Sequence, residues 1–138
     1  VRLALDLSLP AETRFIGATR RALSLYLHEF GAPADIVDDI VLALDEACSN
    51  VLQHAFPDGQ GGHYALRAEL RPEEVLIEVV DRGIGFNPME RRHGDVMDLS
   101  GRGFDVMRRL MTSVEVESPT ATGGTRLRMS RHIPPVGG

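Results

Sequence analysis

The segment from Asp35 to Leu52 constrains this chain more than any other. Its apolar residues Val37, Ile40, Val41, Leu44, Ala47, Cys48, Val51 and Leu52 recur at spacings of three and four, which gathers them on one stripe of an α-helix. A helix with so continuous a stripe needs an apolar surface to lie on. Alternating segments supply it. Leu3, Leu5, Leu7 and Leu9 alternate with Arg2, Ala4, Asp6 and Ser8, and Tyr64, Leu66, Ala68 and Leu70 alternate with Ala65, Arg67, Glu69 and Arg71. Val75 to Val80 is a β-rich run that ends at Asp81. A period of two reads as half-buried strands.

Turn and cap chemistry divides the rest. A first helix is predicted from Ala11 to about Phe30, with Ile16, Leu23, Tyr26, Leu27 and Phe30 inward and Gly31 and Pro33 closing it. The striped helix is expected to open near Asp35 as its cap, with Asp38 adding acid to the first turn. Pro57-Asp58-Gly59 ends it and begins a glycine-rich loop to Gly62. Residues 86–100 carry charge without periodicity and read as a loop. A short helix over about 102–112 and strands near 113–118 and 124–130 follow. The order β-α-α-β-β-α-β-β breaks the strict alternation of a doubly wound parallel sheet. It predicts an α/β two-layer sandwich (α+β) with a mixed, mostly antiparallel sheet and three helices on one face. The expected organisation is a single domain over 1–132 and a disordered tail over 133–138.

Charge narrows the chemistry. Fifteen basic residues, all arginine, stand against twenty acidic ones, a net charge of −5. Without lysine there is no Schiff base and no P-loop lysine, so a phosphate site must use backbone amides, arginine or metal. Net acidity and the lack of a dense basic block argue against nucleic acid as a partner. The one cysteine, Cys48, sits inside the apolar stripe and reads as packing. The five histidines lack zinc-ligand spacing. No apolar stretch is long enough for a membrane span and no signal peptide opens the sequence. A soluble cytoplasmic protein is expected.

Four short patterns could carry chemistry. Glu46 and Asn50, four apart, share a helix face off the apolar stripe; a carboxylate and an amide oxygen are hard donors suited to Mg²⁺. Asp81-Arg82-Gly83-Ile84-Gly85-Phe86 follows a strand, where glycines admit a planar ligand and a carboxylate can accept from an exocyclic amine. Ser100-Gly101-Arg102-Gly103 runs into a helix start, a place for phosphate. Gly123-Gly124-Thr125 precedes the last strand. Each alone has a plainer explanation: a solvated helix face, a turn, a hinge, a hairpin.

In combination and order, across Asp45 to Thr125, they resemble the ATPase superfamily of gyrase, the heat-shock chaperone, histidine kinases and mismatch-repair proteins, with its Bergerat ATP-binding fold (GHKL). Within it the chain resembles the small bacterial anti-sigma factors that are also serine-protein kinases, through Leu44-Asp45-Glu46-Ala47, Asn50, His54, Asp81 to Phe86 and Gly101-Arg102-Gly103. That resemblance implies ATP and Mg²⁺ as cofactors. Glu46 would be the catalytic base toward a serine hydroxyl and Asn50 the Mg²⁺ ligand. Asp81 would bind the adenine amino group, Gly83 and Gly85 would allow its approach, and Thr125 would support the same pocket. Gly101, Arg102 and Gly103 would close over the phosphates, with a lid over about 86–103. The implied partners are an anti-sigma factor antagonist bearing the acceptor serine, a sigma factor, and a second copy in a homodimer. The first helix and first strand, with Arg20 and Arg21, would be candidate partner surfaces. The alternative is a nucleotide-gated binding module without kinase activity. Asp105, where the family continues apolar, and Arg91-Arg92-His93 in the lid depart from its pattern.

Overall fold

The computed structural model describes residues 1–55, 62–81, 102–117 and 124–135. Among them the elements run β1 (Leu3–Pro10), α1 (Arg14–Glu29), α2 (Ala34–Ala55), β2 (His63–Arg71), β3 (Glu74–Asp81), α3 (Arg102–Leu110), β4 (Ser113–Glu117) and β5 (Thr125–His132). The order is the expected one. The sheet has five strands in the order β1-β2-β3-β5-β4, and every pairing is antiparallel, so nothing among the described strands makes it mixed.

Local chemistry explains the element ends. At the close of α1, Gly31 takes φ 85°, and its N–H donates to the His28 carbonyl while the Ala32 N–H reaches back to that of Leu27. This paired reversal satisfies carbonyls that a helix end leaves open, and it needs a residue free of a Cβ. The second helix starts one residue before Asp35: the Pro33 carbonyl accepts from the Val37 N–H at 3.0 Å, and Asp35 lies inside the first turn. There its charge still faces the positive helix end.

The core lies between one face of the sheet and the helices. Tyr64, Leu66, Ala68 and Leu70 of β2, Val75, Ile77 and Val79 of β3, and Leu127 and Met129 of β5 are buried against Val37, Ile40, Ala43, Leu44, Ala47, Cys48 and Val51 of α2. Each large side chain so buried is worth roughly 1.5–3 kcal/mol. The central helix α2 packs on α1, α3 and β3. Tyr26, expected inward, is 37% exposed; Ile16, Thr19, Leu23 and Leu27 carry the buried stripe of α1, and Tyr26 falls on its flank. Ile133, expected to begin a frayed tail, is buried, and its N–H donates to the Glu73 carbonyl at 2.8 Å.

The opposite face of the sheet is a ladder of paired charges. Arg67 meets Asp6, Arg2 and Arg71 meet Glu69, and Arg126 and Arg128 meet Glu78. The hydrogen bond from Arg71, helped by the charges of Arg2 and Arg67, holds the Glu69 carboxyl below its ordinary range. Among the described residues no helix is long and apolar enough to cross a membrane.

Candidate functional site

Asp39, Glu46 and Asn50 stand at i, i+7 and i+11 of α2. At about 100° per residue they fall within about 20° of one line along the helix. This line borders the buried stripe, and Glu46 and Asn50 are half-buried there. The contact made by Asp39 tells which way the line faces: its carboxylate accepts from the Arg131 guanidinium of β5 at 2.9 Å, and the same nitrogen donates to the carbonyl of Leu110, the last residue of α3. The line therefore looks toward α3 and β5. Asp45 points toward α1 instead, accepting from Arg20 at 2.7 Å. The two neighbouring carboxylates, Asp45 and Glu46, are set about 100° apart around one helix, Asp45 on the side that meets α1.

Strand pairing builds the second half. Because β5 inserts beside β3, Asp81 at the end of β3 comes level with Thr125 at the start of β5. Both are buried, at 1% and 7% exposure. They are side chains with hydrogen-bonding capacity held at one end of the sheet face that packs on the helices. Gly124, just ahead of Thr125, takes φ 81°, a backbone conformation that a glycine adopts without strain.

The third part is α3. It is amphipathic, with Phe104 and Met107 buried, as is Met111 just beyond its end, and Arg102 and Gly103 form its first turn. Asp105 lies in that turn and pairs with Arg108 at 3.9 Å. Its last residue is joined through Arg131 to Asp39 near the start of α2, and the helix packs on α2. Gly83, Gly85 and Gly101, the lid over about 86–100 with Arg91, Arg92 and His93, and Gly123 lie outside the described residues.

Beneath α2, burial pushes the Cys48 thiol up to about 11, against a contact with the Tyr64 hydroxyl and with help from the nearby Asp45 charge. Burial raises the Tyr64 hydroxyl as well. Both belong to the core, as the position of Cys48 in the stripe predicts.

These parts place a carboxylate and a hydroxyl at the end of the sheet, in Asp81 and Thr125, and oxygen donors on α2, in Glu46 and Asn50. A carboxylate beside a side-chain amide oxygen fits Mg²⁺, which takes oxygen ligands and shares its sphere with phosphates. Sequence reasoning missed Asp39 and Arg131. The i, i+7, i+11 spacing could have found Asp39. Arg131 left no local signal, since its partners lie far away along the chain.

Comparison with known proteins identifies the family and the fold. The profile of the histidine kinase-like ATPase domain matches residues 9–131. The chain is 27% identical to serine-protein kinase RsbW of Bacillus velezensis, over 94% of this chain and 85% of that protein. It is also 27% identical to the anti-sigma F factor of Clostridium beijerinckii, over 75% of this chain and 77% of that one. Among solved structures, the RsbU and RsbW domains of Rv1364c from Mycobacterium tuberculosis superpose with a TM-score of 0.69 at 21% identity, covering 96% of this chain and 33% of that one. The chain thus spans a third of that structure. The SiaB-SiaC complex of Pseudomonas aeruginosa gives a TM-score of 0.65 at 14% identity, covering 94% and 89%. At these identities the two structures speak for the fold.

Proposed function

We propose, from the premise that this chain belongs to the histidine kinase-like ATPase domain family, that it is an ATP-dependent serine-protein kinase and anti-sigma factor. Its protein substrate is an anti-sigma factor antagonist, phosphorylated on a serine. When not so engaged it holds a sigma factor, acting in the cytoplasm as a homodimer. The kinase and anti-sigma names of the relatives, spanning most of the chain, support the activity and the class of partner. The observation that carries the reading is the placement of Glu46 and Asn50 on the α2 line that faces α3, with Asp81 and Thr125 paired at the end of the sheet.

ATP brings the transferable phosphoryl group, and Mg²⁺ neutralises charge among its phosphates. Glu46 takes the proton of the acceptor serine hydroxyl, the role of a general base. Asn50 offers its amide oxygen to the metal. Asp81 accepts a hydrogen bond from the adenine amino group, with Gly83 and Gly85 giving the ring room and Thr125 supporting the same pocket. Gly101, Arg102 and Gly103 serve the phosphates at the start of α3, where backbone amides and the helix dipole favour anions. Catalysis rests on positioning and charge neutralisation, which suits a chain without lysine.

The test is transfer of labelled γ-phosphate to a purified anti-sigma factor antagonist in Mg²⁺. Label on a serine, lost with Glu46→Gln, is the expected result. ATP-dependent binding of the partner without label at any serine would replace the kinase reading with that of a nucleotide-gated binding module.

A further inference from the structure

Arg131 closes a three-way junction. Its guanidinium donates to the Asp39 carboxylate of α2 at 2.9 Å and to the Leu110 carbonyl at the end of α3. The side chain is 21% exposed, so water competes weakly for either bond. A helix leaves its last carbonyls without partners inside the helix, and a cation there also meets the negative end of the dipole. The turn that follows is held just as firmly. The Thr112 N–H donates to the Ser130 carbonyl at 2.7 Å, the His132 N–H to the Thr112 hydroxyl at 2.8 Å, and the Ser113 and Ser130 hydroxyls meet at 2.6 Å. The C-terminal end of α3 is thus fixed to both α2 and β5, whereas its N-terminal end carries Arg102 and Gly103.

We infer that Arg131 is a positioning residue for the phosphate end of the nucleotide site, acting through α3. This rests on the nucleotide-binding reading above. Arg131 and Thr125 are six residues apart on β5, about 20 Å along a strand, so Arg131 has no reach to the adenine corner. What it governs is the direction of α3. With nine residues the helix is about 13 Å long, and a tilt of about 5° at the anchored end moves the other end by about 1 Å. An error of that size at a reacting centre is costly. Asp39 completes the device: it ties the same guanidinium to the line of α2 that bears Glu46 and Asn50, so one cation references both halves of the site.

The experiment is calorimetric titration of Mg²⁺-ATP and of adenosine into the wild type, Arg131→Met, Arg131→Lys and Asp39→Asn, with amide exchange across α3. The expected result for Arg131→Met is a loss of about three- to thirtyfold in ATP affinity with adenosine affinity unchanged, and faster exchange in the first turn of α3. Asp39→Asn should move the same way. Arg131→Lys, which keeps the charge but not the fork, should fall between, and it stands in if Arg131→Met does not fold. ATP and adenosine affinities that fall together, or that both stay at wild-type values, would overturn the inference. A folded wild type that binds neither ligand overturns the nucleotide reading, and this inference with it.

Discussion

Asp81 and Thr125 stand directly opposite one another across the β3–β5 pairing, both buried, at the end of the sheet face that packs on the helices. The pairing exists only because the chain returns through α3 and β4 to lay β5 beside β3. A carboxylate and a hydroxyl are thereby held at one level at the end of the sheet.

The first prediction follows from that placement. Asp81→Asn keeps the shape of the side chain but exchanges a charged acceptor for a neutral amide. ATP affinity should fall about 10- to 100-fold, the worth of one hydrogen bond to a charged group. Adenosine affinity should fall by the same factor, because the loss is at the base. Titration with the two ligands checks this, and a variant that loses ATP alone would place Asp81 at the phosphates instead.

Glu46 and Asn50 share a helix line but are proposed to have different roles, and on that proposal their variants should separate. Glu46→Gln should leave Mg²⁺-ATP binding within about twofold while slowing phosphoryl transfer by about 10² or more, as loss of a general base does. Asn50→Ala should instead abolish the part of ATP binding that depends on Mg²⁺. Titrations with and without Mg²⁺, beside a single-turnover transfer assay, resolve the two. Equal damage to binding in both variants would merge the roles.

The Cys48 thiol gives a pH prediction. Its ordinary value is 9.0, and burial raises it to about 11 in the folded protein. Between those values the unfolded chain has lost the proton that the folded chain keeps, so folding stability falls as pH rises. The contribution is fully present below about pH 9 and fades through about pH 11, at up to about 1.4 kcal/mol per pH unit. Tyr64, also raised by burial, adds a loss of the same sign at higher pH. Denaturant unfolding at pH 7.5, 9, 10 and 11 should give a steeper decline in wild type than in Cys48→Ala. Identical slopes would remove the thiol from the account. The buried thiol should also react with disulfide reagents at neutral pH only when the protein opens.

How far the sequence reaches is visible in single residues. The stripe from Val37 to Val51 and the alternation in β2 and β3 are periodic, and periodicity is a local property of the chain; these elements could be read directly. Glu46 and Asn50 were legible for the same reason, being four apart on a helix. The opposition of Asp81 and Thr125 was not, since strand order depends on contacts between distant segments. Nor was the place of Arg20, which the sequence offers for a partner surface but which binds Asp45 at 2.7 Å. Ion pairs between helices leave no period.

That ion pair yields the last prediction. Arg20 is 45% exposed and Asp45 24%, and among the described residues one Asp45 oxygen is buried without a hydrogen-bond partner while the other holds Arg20. The two ends of the pair are therefore unequal. Removing Asp45 frees an arginine that water can solvate. Removing Arg20 strands a carboxylate that water reaches poorly, on the side of α2 that meets α1. Arg20→Ala should accordingly destabilise by about 1–2 kcal/mol and Asp45→Asn by less, near the 0–1 kcal/mol of an exposed pair. A double-mutant cycle by thermal or denaturant unfolding gives the coupling, expected to shrink at high salt on the exposed side. Equal costs for the two variants, with no coupling, would reduce the contact to two independent surface charges.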